Sequence, residues 1–245
     1  MPAQTPSRTG FEKWQDGIDK AIGDAKWNIW DCEIQMAVNE YNRHLSGKAG
    51  YRPLDWRLIK AMLWVESGAA NSEWNSRPMR IGVPGDPGLT SFLSGKEGSE
   101  LILPPAWKGR LTVGSVRTIP AHNIRAGIGY LLMKMANYEY RSIIGNPKVH
   151  TISVNPGDSL DKIARTQGST VDTLKKLNPT AVILRPGQIL KYQKATIQRV
   201  ITSWRHVSTA MVAQRYNGGG DPNYTSKLDY VLSAIREDKG LACER

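Results

Sequence analysis

Glu66 closes an apolar run, Ile59-Lys60-Ala61-Met62-Leu63-Trp64-Val65, immediately before Ser67-Gly68. On a helix, Leu63, Met62 and Ile59 precede it by three, four and seven positions and share its face. A carboxyl on an apolar face is stripped of water, and at a helix C-terminus it meets the negative end of the backbone dipoles. Both effects raise its pKa. A carboxyl kept protonated near neutral pH is the general acid that cleavage of a glycosidic bond requires. A surface glutamate at a fraying helix end, before a glycine cap, would have the same local pattern. Asp55 is placed to cap this helix and Gly68 to stop it.

The composition bounds what surrounds that carboxyl. The 245 residues suffice for one well-buried domain plus a smaller one, and the hydrophobic share of 40% is that of an ordinary globular chain. No apolar run approaches the ~20 residues that span a bilayer. A formal charge of +11 calls for a polyanionic partner or environment. The Lys and Arg residues are dispersed, and no helix-turn-helix, zinc-finger or RNP-like pattern supports nucleic acid. Anionic wall polymer fits the charge equally well. The four histidines are scattered and no Cys/His cluster has metal-ligand spacing, so neither a metal nor a cofactor is expected. Cys32 and Cys243 either tie the two ends of the chain by a disulfide or remain two free thiols. Residues 1–10 read as a disordered polar tail without the apolar core of a secretory signal. A protein acting outside the cytoplasm would then leave by a non-classical route.

The elements that must position Glu66 are mostly helices. Residues 26–46 carry an amphipathic pattern, and the Glu66 helix follows. Residues 71–120 are rich in Gly, Pro and Ser, too irregular for regular elements, and read as a long functional loop. Ile124, Ile128, Leu131, Leu132 and Met135 predict a helix over about 122–142. The pattern then changes to a strand at 150–154 and a turn through Pro156-Gly157, with Asp158 or Ser159 as helix cap. A second short helix carries Leu174 and Leu177, and a last strand covers 189–192. Helical spacing resumes with Ile197, Val200, Ile201, Trp204, Val207 and Met211, and a final helix is expected over about 224–237. The fold class is therefore mainly α: a host over 11–147 and 196–245, interrupted by a small α+β unit (βααβ) over 148–195.

The inserted unit resembles a LysM module over its whole length, on the strings His150 to Ala164, Leu174-Lys175-Lys176-Leu177-Asn178-Pro179 and Arg185-Pro186-Gly187-Gln188-Ile189-Leu190. The resemblance implies binding of N-acetylglucosamine-containing glycans such as peptidoglycan. Their groove would lie between two loops, one with Gly157, Asp158, Ser159 and Leu160, the other with Asn178, Pro179, Thr180 and Ile183. A spacer without glycan binding is the plainer alternative.

The host resembles the soluble lytic transglycosylases, whose domain is lysozyme-like and α-helical. Val65-Glu66-Ser67-Gly68 is similar to the family's catalytic Glu-Ser motif. Met79-Arg80 stands where it has Gly-Leu-Met-Gln, with arginine replacing glutamine. Asn123-Ile124, Gly127 and Tyr130-Leu131 match its Asn-Ile…Gly…Tyr-Leu helix, and Tyr216-Asn217-Gly218-Gly219 its Tyr-Asn-x-Gly turn. The resemblance implies Glu66 as acid and then base, with Tyr216 orienting it or supporting the transition state. Ser67, Met79, Arg80, Asn123, Tyr130 and Asn217 would bind substrate, Arg80 reaching an acetamido or lactyl group. The product would be a 1,6-anhydro-muramic end. A hydrolytic muramidase, of phage or secreted type, would need a second group, for which Glu73 and Asp86 are available. A non-catalytic wall-binding protein is the remaining alternative. A wall-cutting chain without a signal further suggests an antibacterial effector of a type VI-like system, acting in the periplasm or wall and countered by an immunity protein.

Overall fold

A computed structural model describes residues 8–236 and Cys243. The elements in chain order are helices α1 (Gly10–Ala21), α2 (Asp31–Leu45), α3 (Trp56–Glu66), α4 (Gly88–Leu93), α5 (Ser99–Ile102), α6 (Val113–Thr118) and α7 (Pro120–Met135), then strands β1 (Ala136–Ile144) and β2 (His150–Ser153). Helices α8 (Leu160–Gln167) and α9 (Val171–Leu177) follow, then β3 (Ile189–Tyr192), β4 (Ala195–Trp204), α10 (Thr209–Arg215) and α11 (Tyr224–Arg236). The chain divides into two compact units. The first comprises residues up to Asn137 and from Ile201 onward, and the second is Tyr138–Val200. The described residues are mainly helical, with two small two-stranded sheets.

In the first unit, α3 is the central helix. Asp55 caps it by accepting the Arg57 N–H at 2.9 Å, and Gly68 leaves it in the left-handed conformation at φ 66°. A Cβ at Gly68 would come within 2.6 Å of the Trp27 ring, so glycine is required there for space as well as for φ. Every residue from Leu58 to Trp64 is buried, Lys60 included. The buried Lys60 amine donates to Asp31 at 2.9 Å and to Asn28 at 2.7 Å, so its polar end is partnered at this depth. Helix α3 packs on α11 and α2, while α7 packs on α2, α4, α5 and α6. In α7, a Cβ at Gly129 would lie 2.3 Å from Phe92 and 2.5 Å from the Tyr41 hydroxyl, and one at Gly127 would strike Met79. Arg125, buried in the same helix, is held by Glu33 and bidentately by Glu40, the latter bonds both 2.8 Å long. Cys32 and Cys243 form a disulfide.

In the second unit, β2 and β3 pair antiparallel, His150 opposite Tyr192 and Ser153 opposite Ile189. Their inner faces and the two short helices enclose a small core of Val154, Ile163, Ala164, Leu174 and Leu190. Ser159 and Thr170 cap the two helices through their hydroxyls. This is the expected βααβ order.

Three expectations are corrected. Residues 71–120 are not free of regular structure: α4, α5 and α6 lie there with two 3-10 turns, anchored by the buried Trp74, Phe92, Ile102, Trp107 and Val116. The helix expected to 142 ends at Met135, and the chain continues as β1. The helical spacing from Ile197 belongs to strand β4 as far as Trp204. β1 and β4 pair with each other, the Gly145 N–H donating to Lys194 and the Arg205 N–H to Met135, an antiparallel order. Of the tail expected over 1–10, residues 1–7 lie outside the described residues; Thr9 and Glu12 form a capping box that starts α1 at Gly10. Residue 237 of the last expected helix also lies outside them.

Candidate active site

Glu66 is the last residue of α3. Its Oε1 accepts a 2.6 Å hydrogen bond from the hydroxyl of Tyr224, the first residue of α11. Because α3 and α11 pack along one another, residues 158 positions apart meet at their ends. Burial pushes the Glu66 carboxyl up to about 7; Asp221 and Asp86 add to the rise, while the Tyr224 hydroxyl and Arg80 oppose it. Burial, and then the Glu66 charge, hold the Tyr216 and Tyr224 phenols well above their ordinary value, so both remain donors.

A cleft of about 280 Å³ opens beside Glu66, lined by Met79, Arg80, Asp86, Tyr130, Tyr216 and Asn217 among others. One wall is the 77–82 segment. Arg80 has φ 50°, the one left-handed non-glycine backbone among the described residues. Its guanidinium meets Glu73 at 3.3 Å and donates to the Glu66 carbonyl at 3.5 Å, and its side chain remains 46% exposed. Glu73 also binds Arg77 at 2.8 Å, so this carboxylate is engaged by two arginines and is not among the cleft residues. Tyr130 and Tyr216 also line the cleft, their rings edge to face at 5.6 Å. The Asp86 carboxylate accepts the N–H groups of Gly88 at 2.8 Å and Gly82 at 3.2 Å, which folds the 82–88 loop against the cleft.

Six of the eight residues expected in a host site therefore share one cleft: Glu66, Met79, Arg80, Tyr130, Tyr216 and Asn217. Their individual contacts differ from the expected roles. The Tyr216 hydroxyl is given to the Met79 carbonyl at 2.9 Å, and the hydroxyl that orients Glu66 is Tyr224's. Asn217 accepts the Asp221 N–H at 2.9 Å, fixing the glycine turn. Ser67 donates to the Pro78 carbonyl at 2.9 Å, behind the wall. Asn123 is fully buried; it accepts the Met79 N–H at 2.9 Å and donates to the Ile81 and Val116 carbonyls at 3.0 Å. Asn123 and Ser67 thus hold the wall from inside and do not face the cleft.

Tyr224 was missed in the sequence, and a signal for it exists. It precedes Leu228, Val231 and Ile235 by four, seven and eleven positions, so it extends the buried stripe of the last helix. A tyrosine on such a stripe needs a partner for its hydroxyl.

In the second unit, the residues expected to bind glycan fall into two groups. Asp158 accepts the Asn155 N–H at 2.8 Å and the Lys162 ammonium at 2.9 Å, Ser159 caps α8, and Leu160 packs on the core. Asn178 exchanges two hydrogen bonds with the Lys191 backbone, at 2.7 and 2.8 Å. These four shape the loops. Gly157, Pro179, Thr180 and Ile183 lie on the surface, and Ile183 is 77% and its neighbour Val182 87% exposed. Val182 and Ile183 are the two most exposed large apolar side chains among the described residues. No curated protein and no solved structure matches the chain. Residues 152–192 match the LysM domain model, which suggests peptidoglycan binding and association with the cell wall.

Proposed function

We propose that the first unit is a peptidoglycan lytic transglycosylase and that the second anchors it to its substrate. The observation that carries this reading is Glu66: a carboxyl with a pKa near 7, oriented by a phenol, on a cleft in a chain that also holds a LysM domain. Protonated Glu66 gives its proton to the oxygen joining N-acetylmuramic acid to N-acetylglucosamine, and the bond from that oxygen to C1 breaks. The carboxylate so formed takes the proton of the muramic C6 hydroxyl, whose oxygen closes on C1 as a 1,6-anhydro ring. One carboxyl acts twice and no water is consumed.

A hydrolytic muramidase is the second reading, favoured by the Asp86 carboxylate on the same cleft. It would activate water or support the positive charge on the sugar. Mass spectrometry of digested sacculi separates the two: anhydro ends are lighter than reducing ends by one water. Glu66→Gln should release no fragments by either route, and unchanged release would remove Glu66 from the reaction. Binding without any release by the parent chain would leave a non-catalytic wall-binding protein.

A disulfide between Cys32 and Cys243 fits an oxidising compartment such as the periplasm. Among the described residues no helix is long and apolar enough to cross a membrane. In the reading as an antibacterial effector, expression directed to the periplasm is toxic and cytoplasmic expression is not, and a cognate immunity protein blocks the cleft. Equal toxicity in both compartments would count against a wall target.

A further inference from the structure

The second unit carries more than half of the formal charge on about a quarter of the chain. Residues 138–200 hold ten Lys and Arg against four Asp and Glu, a net +6 of the +11 total. The few carboxylates are already engaged: Glu139 with Arg141, Asp158 with Lys162 and Asp161 with Arg165. Asp172 sits in the first turn of α9, where the helix dipole favours it. Lys148, Lys175, Lys176, Lys191 and Lys194 are all exposed, and among the described residues none is in an ion pair.

The fold gathers these five at one end of the unit. Lys175 and Lys176 end α9 just before Asn178, whose side chain grips the Lys191 backbone. The Gln193 amide donates to the Pro147 carbonyl at 2.5 Å and the Gly145 N–H to the Lys194 carbonyl at 2.9 Å, which brings Lys148 beside the end of β3. The exposed loop with Pro179, Thr180 and Ile183 starts from the same Asn178, so Lys175, Lys176 and the Lys191 backbone lie at the start of one loop of the expected glycan groove. Like charges at one end repel, and among the described residues none of the unit's carboxylates forms an ion pair with them. An anionic ligand would.

We infer that this lysine cluster is a second recognition surface, which reads anionic groups carried by the wall glycan beside a groove that takes its uncharged sugars. Those groups are the carboxylates of peptide stems or the phosphates of attached polymers. The inference rests on glycan binding by the second unit and not on catalysis by the first.

The test uses the full chain with Glu66→Gln, so that nothing is cut. Its binding is measured at about 50 and about 300 mM salt to sacculi and to an uncharged N-acetylglucosamine oligomer, a salt range over which screening of exposed charges is steep. One variant replaces the five lysines by Gln. A control removes the same charge from the first unit, at the exposed Lys13, Lys20, Lys26, Arg43 and Lys48. Sacculus affinity should fall about tenfold with salt for the parent and the control. The five-lysine variant should start near the weaker value and respond little to salt. All three should bind the uncharged oligomer alike. Amidase-stripped and acid-dephosphorylated sacculi identify the anion, since only the relevant treatment abolishes the salt response. The inference is overturned if the five-lysine variant keeps the parent's affinity and salt response, or if the control loses as much. Should no variant bind the uncharged oligomer while sacculus binding still needs the lysines, the groove reading fails and the lysine surface stands.

Discussion

At the scale of single residues, Glu66 couples the candidate chemistry to stability. Its carboxyl titrates near 7 in the folded protein against 4.5 in its unperturbed state. Between those values the folded protein holds a proton that the unfolded chain has released. Stability from this group is therefore complete below about pH 4.5 and is lost as the pH rises through 7. Glu66→Gln is neutral throughout, so it should be more stable than the parent above pH 7, by up to about 3 kcal/mol, and equal to it at pH 4. Melting temperatures across this range check the sign; a gain of the same size at pH 4 would show that burial does not set this titration. Catalysis should fall above about pH 7 as the acid form disappears. Tyr224→Phe removes a donor that favours the carboxylate, so the midpoint of that fall should move upward by about one unit, together with a loss of rate. Tyr216→Phe frees the Met79 carbonyl instead and should leave the midpoint in place. Glu66 could be singled out from its neighbours in sequence, whereas the Tyr224 hydroxyl could not be assigned to it. That contact depends on two helices lying side by side, which no local spacing encodes.

At the scale of elements, the cleft wall depends on α7 from behind. One Asn123 side chain satisfies the Met79 N–H and the Ile81 and Val116 carbonyls, so it fixes a segment without regular structure of its own. Asn123→Ala leaves three buried backbone groups unpaired and should lower stability by about 2–4 kcal/mol. If the wall serves substrate, KM should rise more than kcat falls; a melting temperature within a degree of the parent would show that the wall holds itself. The Asn123 motif was legible, but a surface polar residue and a buried bracket read alike in one dimension. Helix α3 was legible end to end, because its cap, apolar run and terminal glycine are neighbours in sequence. The βααβ unit was legible because Pro-Gly turns separate its short elements. β1 and β4 were not. Ile197, Val200, Ile201 and Trp204 satisfy a helical spacing, and the ribbon's partly exposed faces give no alternation of period two to oppose it. The β-branched and aromatic content of Ala136–Ile144 favours a strand, but its partner lies some sixty residues away.

At the scale of the whole molecule, the chain is closed twice, by different means. The second unit begins and ends on paired strands, so its own ends are fixed by backbone hydrogen bonds. The first unit is discontinuous, and Cys32–Cys243 joins residues 211 positions apart. A crosslink acts mainly by restricting the unfolded chain, and a loop of that length is worth about 5 kcal/mol at most in the chain-entropy picture. Both bonded cysteines belong to the first unit, so the crosslink acts on the folding of that unit. Reduction, or Cys32→Ser with Cys243→Ser, should therefore lower its melting transition by about 5–15 °C and leave that of the second unit unchanged. Following Trp64 and Trp74 by fluorescence reports the first unit alone, because residues 138–200 contain no tryptophan. Exchange of the Leu190 amide reports the second. Equal shifts at both reporters would mean that the two units unfold as one, and that the inserted module depends on the integrity of its host.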